Sequence, residues 1–421
     1  MTKHPTTASD ALPNDASNNA DVAQGPGNEP ISLGYLFWTF LKIGSTAFGG
    51  FMALVSVVEN LVVHRRKLLT HEDMLDGISL ATVLPGPVAA NVVAYVGYRI
   101  RGGWGAAATA TSVLLPSFLL VVGLTAVYYE AGEIDAVSRV FAGFIPAVVA
   151  IIISAAWRMA KKTIKTWQAI AIAVAAGILI QFVGGFYTTL LVIIGAGVLG
   201  YLLFYDATQS NAAVQADGPQ IDKGRMIISF AVLACFILMY IVPLPFLGDD
   251  SLARLFTTFS GMSLMLFGGG YVFIPLIQQI VVDGYGWVNQ AEFANAIALG
   301  QVTPGPILIS AAFIGYAVKG ILGAIVATVG IFFPPALLMV TCSHLLDRIK
   351  TSTIIQAALK GIRPAIVGMI FTAAIVVAQT AQVHWATLLI FVGSLIAIWR
   401  FRLEVVLVIP IAGLLGLLLY P

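Results

Sequence analysis

Apolar stretches separated by short polar or charged clusters run along nearly the whole chain. Residues 1–30 are the first exception: rich in Asn, Asp, Ala, Thr, Gly and Pro, they read as a disordered tail. Beyond them, 104–129, 137–157, 166–183 and 186–205 each match the roughly 20 apolar residues that a membrane-crossing helix needs. Residues 206–224 are a polar linker, and 225–247 form a further apolar span. The stretches 321–343, 354–379, 384–399 and 403–420 complete the uninterrupted set. Four stretches are broken: 33–62 at Gly49-Gly50, 71–98 at Pro85-Gly86-Pro87, 252–281 at Gly268-Gly269-Gly270, and 291–318 at Pro304-Gly305-Pro306. As one straight helix, 33–62 would be about 45 Å long against a hydrocarbon core of about 30 Å.

The breaks recur at a fixed spacing. Pro85-Gly86-Pro87 and Pro304-Gly305-Pro306 lie 219 residues apart, as do Phe48-Gly49-Gly50 and Phe267-Gly268-Gly269. Downstream the spacing is 218: Gly97-Tyr98 with Gly315-Tyr316, Pro116 with Pro334, and Gly143 and Pro146 with Gly361 and Pro364. The chain is one unit written twice, with 31–205 as the first copy and 248–421 as the second. The span 225–247 has no counterpart in the first copy, and one extra crossing reverses the orientation of everything after it.

Loop charge agrees with that reversal. Arg65-Arg66-Lys67 and Arg158 to Lys165 mark cytoplasmic loops in the first copy, and the equivalent loops of the second hold no such clusters. Arg348, Lys350, Arg400 and Arg402 fall instead where the first copy has acidic or uncharged loops. The expectation is an all-α polytopic membrane protein with two inverted-topology repeats joined by an extra transmembrane helix. The N-terminus is placed in the cytoplasm and the C-terminus outside. Arg65–Lys67 and Arg99–Arg101 flank 71–98 with basic residues on both ends. A re-entrant hairpin turning at Pro-Gly-Pro explains this; a tilted, kinked crossing is the alternative.

Composition narrows the function. Of 421 residues, 59% are hydrophobic and only 10% charged, with mean hydropathy +0.94. A soluble domain carries about 25% charged residues, so the lipid bilayer is the surround. A net charge of +2 gives no reason to expect a nucleic-acid partner. Cys235 and Cys342 stand alone and the five histidines are scattered, so no metal, cofactor or disulfide framework is indicated. There is no His-Glu-x-x-His and no phosphate-binding Gly-Lys-Ser/Thr loop, so neither an enzyme nor ATP drive is expected.

The breaks carry the candidate chemistry. A half-helix that begins inside the membrane presents unpaired N–H groups and the positive end of its dipole, which suits an anion. Pro87 and Pro306 are placed to open such helices, and Gly86 and Gly305 to admit close backbone approach. The candidate binding set is Phe48, Gly49, Gly50, Pro85, Gly86, Pro87, Asn91, Phe267, Gly268, Gly269, Gly270, Gln301, Thr303, Pro304, Gly305 and Pro306. Lys42 joins it as an intramembrane cation, with snorkelling to the interface as its rival role.

Phe267-Gly-Gly-Gly-Tyr-Val-Phe-Ile-Pro275, Ala298-Leu-Gly-Gln-Val-Thr-Pro-Gly-Pro306, Phe313-Ile-Gly-Tyr316 and Gly330-Ile-Phe-Phe-Pro334 resemble the chromate ion transporter family in its two-domain, full-length form. Ala47-Phe-Gly-Gly50 and Leu84-Pro-Gly-Pro87 with Asn91 carry the resemblance in the first half. Phe51-Met52-Ala53-Leu54 departs from it, since the family has proline after Phe-Gly-Gly and a histidine a few positions on. The resemblance implies a secondary transporter in a bacterial-type inner membrane that exports chromate, with sulfate as a look-alike, driven by the electrochemical gradient. A channel-like anion pore on the same repeat is the alternative, and a homodimer is left open.

Overall fold

The computed structural model describes residues 31–47, 51–131, 134–183, 186–205, 231, 251–266, 273–343 and 352–421. The expected tail 1–30, the linker 206–224 and, apart from residue 231, the joining span 225–247 lie outside the described residues. So do Phe48, Gly49, Gly50, Phe267, Gly268, Gly269 and Gly270.

All regular structure among the described residues is helical. In the first half, α1 is Leu33–Thr46 and α2 is Phe51–Glu59, which runs on into a π-helical turn, Asn60–Arg65. Next come α3, His71–Val83, and the helical run Val88–Ala131, which is two helices, α4 (88–100) and α5 (103–131), joined through non-helical Arg101 and Gly102. Asp135–Thr163 is α6, Trp167–Phe182 α7 and Phe186–Phe204 α8. The second half repeats the series. Leu252–Ser263 is α9, and Phe273–Gln278 is α10 with its π-helical turn Gln279–Gly284. Gln290–Val302 is α11. The run Ser310–Cys342 splits at Lys319 and Gly320 into α12 (310–318) and α13 (321–342). Thr353–Ala378 is α14, Trp385–Trp399 α15 and Val405–Leu419 α16.

The halves repeat down to single hydrogen bonds. Arg66 N–H donates to Leu61 O and Leu68 N–H to Val62 O; Tyr285 and Trp287 make the same bonds to Ile280 and Val281. A capping box starts α3 at Thr70 and Asp73, and another starts α11 at Asn289 and Glu292. Such caps satisfy backbone donors that a helix start leaves unpaired.

Two reversals per half set the geometry. At Gly86 the chain turns so that Gly77 of α3 meets the Tyr95 ring of α4, and Arg99 Nη2 reaches Asp73 Oδ1 at 2.6 Å. The pairings centre on the Pro-Gly-Pro turn, so α3 and α4 run antiparallel. Each has about 13 residues, or roughly 20 Å, short of the roughly 30 Å core. Burial opposes the Asp73 charge, but the Thr70 hydroxyl and amide and the Arg99 guanidinium outweigh it, and the carboxyl sits below its ordinary range. At Arg101–Gly102 the chain reverses again. Gly97 packs directly on Gly105, and Thr109 Oγ1 donates to Val93 O at 3.0 Å. Gly315 and Gly323 make the same close crossing in the second half. Glycine at these crossings removes the side chain that would hold the backbones apart.

Among the described residues, the apolar runs Val88–Ala131, Asp135–Thr163, Ile307–Cys342 and Thr353–Ala378 are long enough to cross a membrane, the first and third through α5 and α13 once their reversals are allowed for. The chain is a multi-pass membrane protein. The halves also interlock through small residues: Gly143 of α6 packs on Gly416 of α16, and Gly361 of α14 on Gly200 of α8.

Candidate functional site

The two Pro-Gly-Pro turns each touch the other half of the molecule. Gly86 has φ +109° and Gly305 φ +113°, a region that L side chains rarely adopt. A Cβ on Gly86 would collide with the Pro335 ring of α13; one on Gly305 would lie 2.8 Å from Ser117 Oγ of α5. Ser117 and Pro335 follow the paired prolines Pro116 and Pro334, so the contact is reciprocal: each turn meets the same position in the opposite half. Reciprocal contacts of this kind are what a two-fold relation produces.

Each turn is also pinned by a hydrogen bond across the halves. Gly86 N–H donates to Leu266 O at 2.8 Å. The Ser117 hydroxyl donates to Pro304 O. Leu84 packs with Leu264, Leu338 and Cys342, which closes the first turn beneath an apolar cover from the second half.

Pro85, Gly86 and Pro87 are buried, as are Pro304 and Pro306. Pro87 and Pro306 stand one position before their helices rather than at the first helical residue. After Pro87, Asn91 N–H donates to Pro87 O, and the N–H groups of Val88, Ala89 and Ala90 have no partner among the described residues. Asn91 is wholly buried. Its Nδ2 donates to Pro85 O at 3.2 Å, while Oδ1 has no partner among the described residues. After Pro306 the chain enters through a 3-10 turn, Ile307–Ile309, in which Ile309 N–H donates to Pro306 O. Ser310, at the position equivalent to Asn91, turns its hydroxyl onto Ile307 O at 2.7 Å. Thr303 donates to Gly300 O at 3.3 Å, and Gln301 Nε2 is buried without a described partner.

Lys42 lies on an exposed face of α1 with Trp38, Ser45 and Thr46, outside this buried cluster. No charged residue occurs between Asp76 and Arg99 or between Glu292 and Lys319, so both turns are built from neutral groups. The far ends of the hairpins differ: Asp73 meets Arg99, whereas Glu292 Oε1 accepts from Tyr129 of the first half at 3.0 Å. A cavity of about 420 Å³ between α5 and α13 is a different place. Equivalent residues line it, among them Leu114, Leu115 and Phe118 with Phe332, Phe333 and Ala336, and a wall that is apolar apart from Thr111 and Thr328 suits an anion poorly.

Ser117 and Pro335 were not among the sequence-derived candidates. The signal that could have found them is the same repeat, since each follows a paired proline.

A family model described as chromate transporter matches residues 34–201 and 253–417. An uncharacterized transporter of Methanocaldococcus jannaschii is 29% identical over 398 residues, covering 93% of this chain and 95% of that protein. A probable chromate transport protein of Synechococcus elongatus is 30% identical, covering 92% and 96%. A chromate transport protein of Cupriavidus metallidurans is 29% identical, covering 93% and 94%. No solved structure matches the chain.

Proposed function

The chain belongs to the chromate transporter family, and we infer that it is a secondary transporter exporting chromate from the cytoplasm down its electrochemical gradient. The anion binds where the Pro-Gly-Pro turns open α4 and α12. The observation that carries this reading is the reciprocal seating of the two turns, with Gly86 against Pro335 and Gly305 against Ser117, together with N–H groups at Val88, Ala89 and Ala90 that have no partner among the described residues. Two such turns, related by a two-fold between inverted repeats, put half-helix starts from both halves into one buried region, as in carriers whose substrate sits at a repeat interface. The fold-back of α3 on α4 through Asp73 and Arg99 supports a re-entrant hairpin over a kinked crossing.

The turns supply dipoles and donors without a fixed cation, so release on the far side meets no strong ion pair. An inside-negative potential favours expelling each negative charge by about 2.3 kcal/mol per 100 mV. Exchange between two orientations requires the seat of each turn to open in alternation, and Gly86 and Gly305 are the hinging contacts.

The test is uptake of labelled chromate into inside-out vesicles holding the full chain, with and without an imposed potential. Saturable, potential-dependent accumulation is expected. Intact, inserted protein that moves no chromate overturns the assignment; flux that rises linearly with concentration replaces the carrier by a pore.

A further inference from the structure

We propose that the turn before α4 recognises a tetrahedral oxyanion in its singly protonated form, so that the transported species is hydrogenchromate rather than the chromate dianion. This rests on the anion site proposed above and adds the protonation state of what it holds.

The argument starts from Asn91. Its side chain is 0% exposed and folds back into the turn, where Nδ2 donates to Pro85 O. That bond fixes which end of the amide is nitrogen. The oxygen is therefore the free end, and Oδ1 accepts nothing from the described residues. A buried acceptor left without a donor costs about 1–3 kcal/mol. The same first turn of α4 carries donors of the opposite need, the N–H groups of Val88, Ala89 and Ala90, which have no partner among the described residues. A ligand that satisfies both must present oxygen acceptors to the helix start and one O–H donor to Asn91. A fully ionised oxyanion has acceptors only and would set a lone pair against Oδ1. A hydrogen oxyanion has three acceptor oxygens and one hydroxyl.

Charge points the same way. No Lys or Arg lies between Asp76 and Arg99 in the sequence of the hairpin. The desolvation cost of an ion grows with the square of its charge, so an uncompensated dianion costs about four times as much as a monoanion. Neutral donors can hold one charge far more readily than two.

The pairing separates ions that size and shape do not. Chromate takes its first proton near neutral pH, whereas sulfate and selenate do so only in strong acid. Phosphate and arsenate keep a hydroxyl throughout the physiological range. The second half lacks the device, because Ser310 spends its hydroxyl on Ile307 O.

On α3, Asp73 is paired with Arg99 and Asp76 lies one turn in; Glu59 meets His71 at 2.9 Å at the end of α2. On α4 itself, the Tyr95 ring packs against Gly77. Lys42 is on the exposed face of α1, and Glu292 of α11 meets Tyr129 of α5. Cys342 of α13 packs in the apolar cluster with Leu84, just before the turn.

The experiment is labelled chromate uptake by inside-out vesicles at a fixed potential, over a pH range spanning chromate's own protonation, with sulfate and phosphate as competitors. The apparent KM in total chromate is expected to rise about tenfold per pH unit on the alkaline side. Phosphate competes and sulfate does not. Asn91→Leu weakens uptake and flattens the profile, and Asn91→Ser, which restores an acceptor, recovers part of it. A KM that is flat or falls with pH, with sulfate competing as well as phosphate, overturns the proposal and leaves the carrier standing. An unchanged pH profile in Asn91→Leu overturns the assignment to this turn. No chromate flux at any pH removes the underlying reading as well.

Discussion

At Pro85-Gly86-Pro87 the chain passes straight into an α-helix, and among the described residues three N–H groups and the oxygen of a buried asparagine have no partner. At Pro304-Gly305-Pro306 it passes through a 3-10 turn that consumes an N–H at Ile309, and a serine closes on its own backbone. The backbones of the two turns are nearly superimposable in φ at the central glycine, +109° and +113°. Their seats differ too: a rigid proline ring under Gly86, a hydroxyl under Gly305. Duplication kept the scaffold, while the groups that could meet a ligand diverged. In the proposed carrier, the first turn recognises the anion and the second is the seat that can let go.

The sharpest way to break this comparison is to put the same side chain on both glycines. Gly86→Ala and Gly305→Ala each force a left-handed backbone, at about 1–3 kcal/mol. Only Gly86→Ala also drives a methyl into the Pro335 ring, which adds an overpacking cost of about 1–3 kcal/mol. Thermal unfolding in detergent should fall further for Gly86→Ala, with transport lost in both. Equal losses would mean that the seats are equivalent.

Ser117→Ala is the next probe. It removes the donor to Pro304 O and leaves a buried carbonyl unpaired, at about 1–3 kcal/mol. Ser117→Ala combined with Gly305→Ala should be less than additive, because the first makes room for the second. Strict additivity would show that Ser117 does not seat this turn. Ser310→Ala should leave the pH profile of chromate uptake unchanged, in contrast to Asn91→Leu.

Much of this architecture was readable in the chain. The paired Pro-Gly-Pro, the Pro116/Pro334 and Pro146/Pro364 pairs and the glycine spacings place the halves in register, because a repeat needs only identity at fixed offsets. Among the described residues the span limits followed from hydropathy to within a few residues, apart from the end of α6, which runs on to Thr163 through its basic last turns. The reversals at Arg101–Gly102 and Lys319–Gly320 fall where the sequence already separates 71–98 from 104–129 and 291–318 from 321–343, but the direct packing of Gly97 on Gly105 and of Gly315 on Gly323 was not readable, since glycine spacing alone does not say which backbone comes close. What fills the space beside Gly86 was equally hidden. Glycine signals close approach but not whether a ligand or a proline from 249 residues away makes it. The partnering of Asn91 depends on side-chain direction, which no periodicity encodes.

The smallest expected effect lies at the open ends of the hairpins, where Asp73–Arg99 faces Glu292–Tyr129. The Asp73 side chain is 20% exposed and Arg99 46%, so the pair stabilises by no more than about 1 kcal/mol. Arg99→Ala should therefore cost little at neutral pH, and Tyr129→Phe a similar amount. The two ends separate in acid. The Asp73 carboxyl is held below its ordinary value of 3.8, so the folded state favours its ionised form. That contribution is fully present above about pH 4 and is lost as pH falls through the lowered folded value. Between pH 5 and 8 the wild type and Asp73→Asn should keep a constant difference in unfolding temperature. Below that window the wild type should lose its advantage and the curves converge. A difference that instead changes across neutral pH would mean that the Asp73–Arg99 pair does not govern the closure of this end.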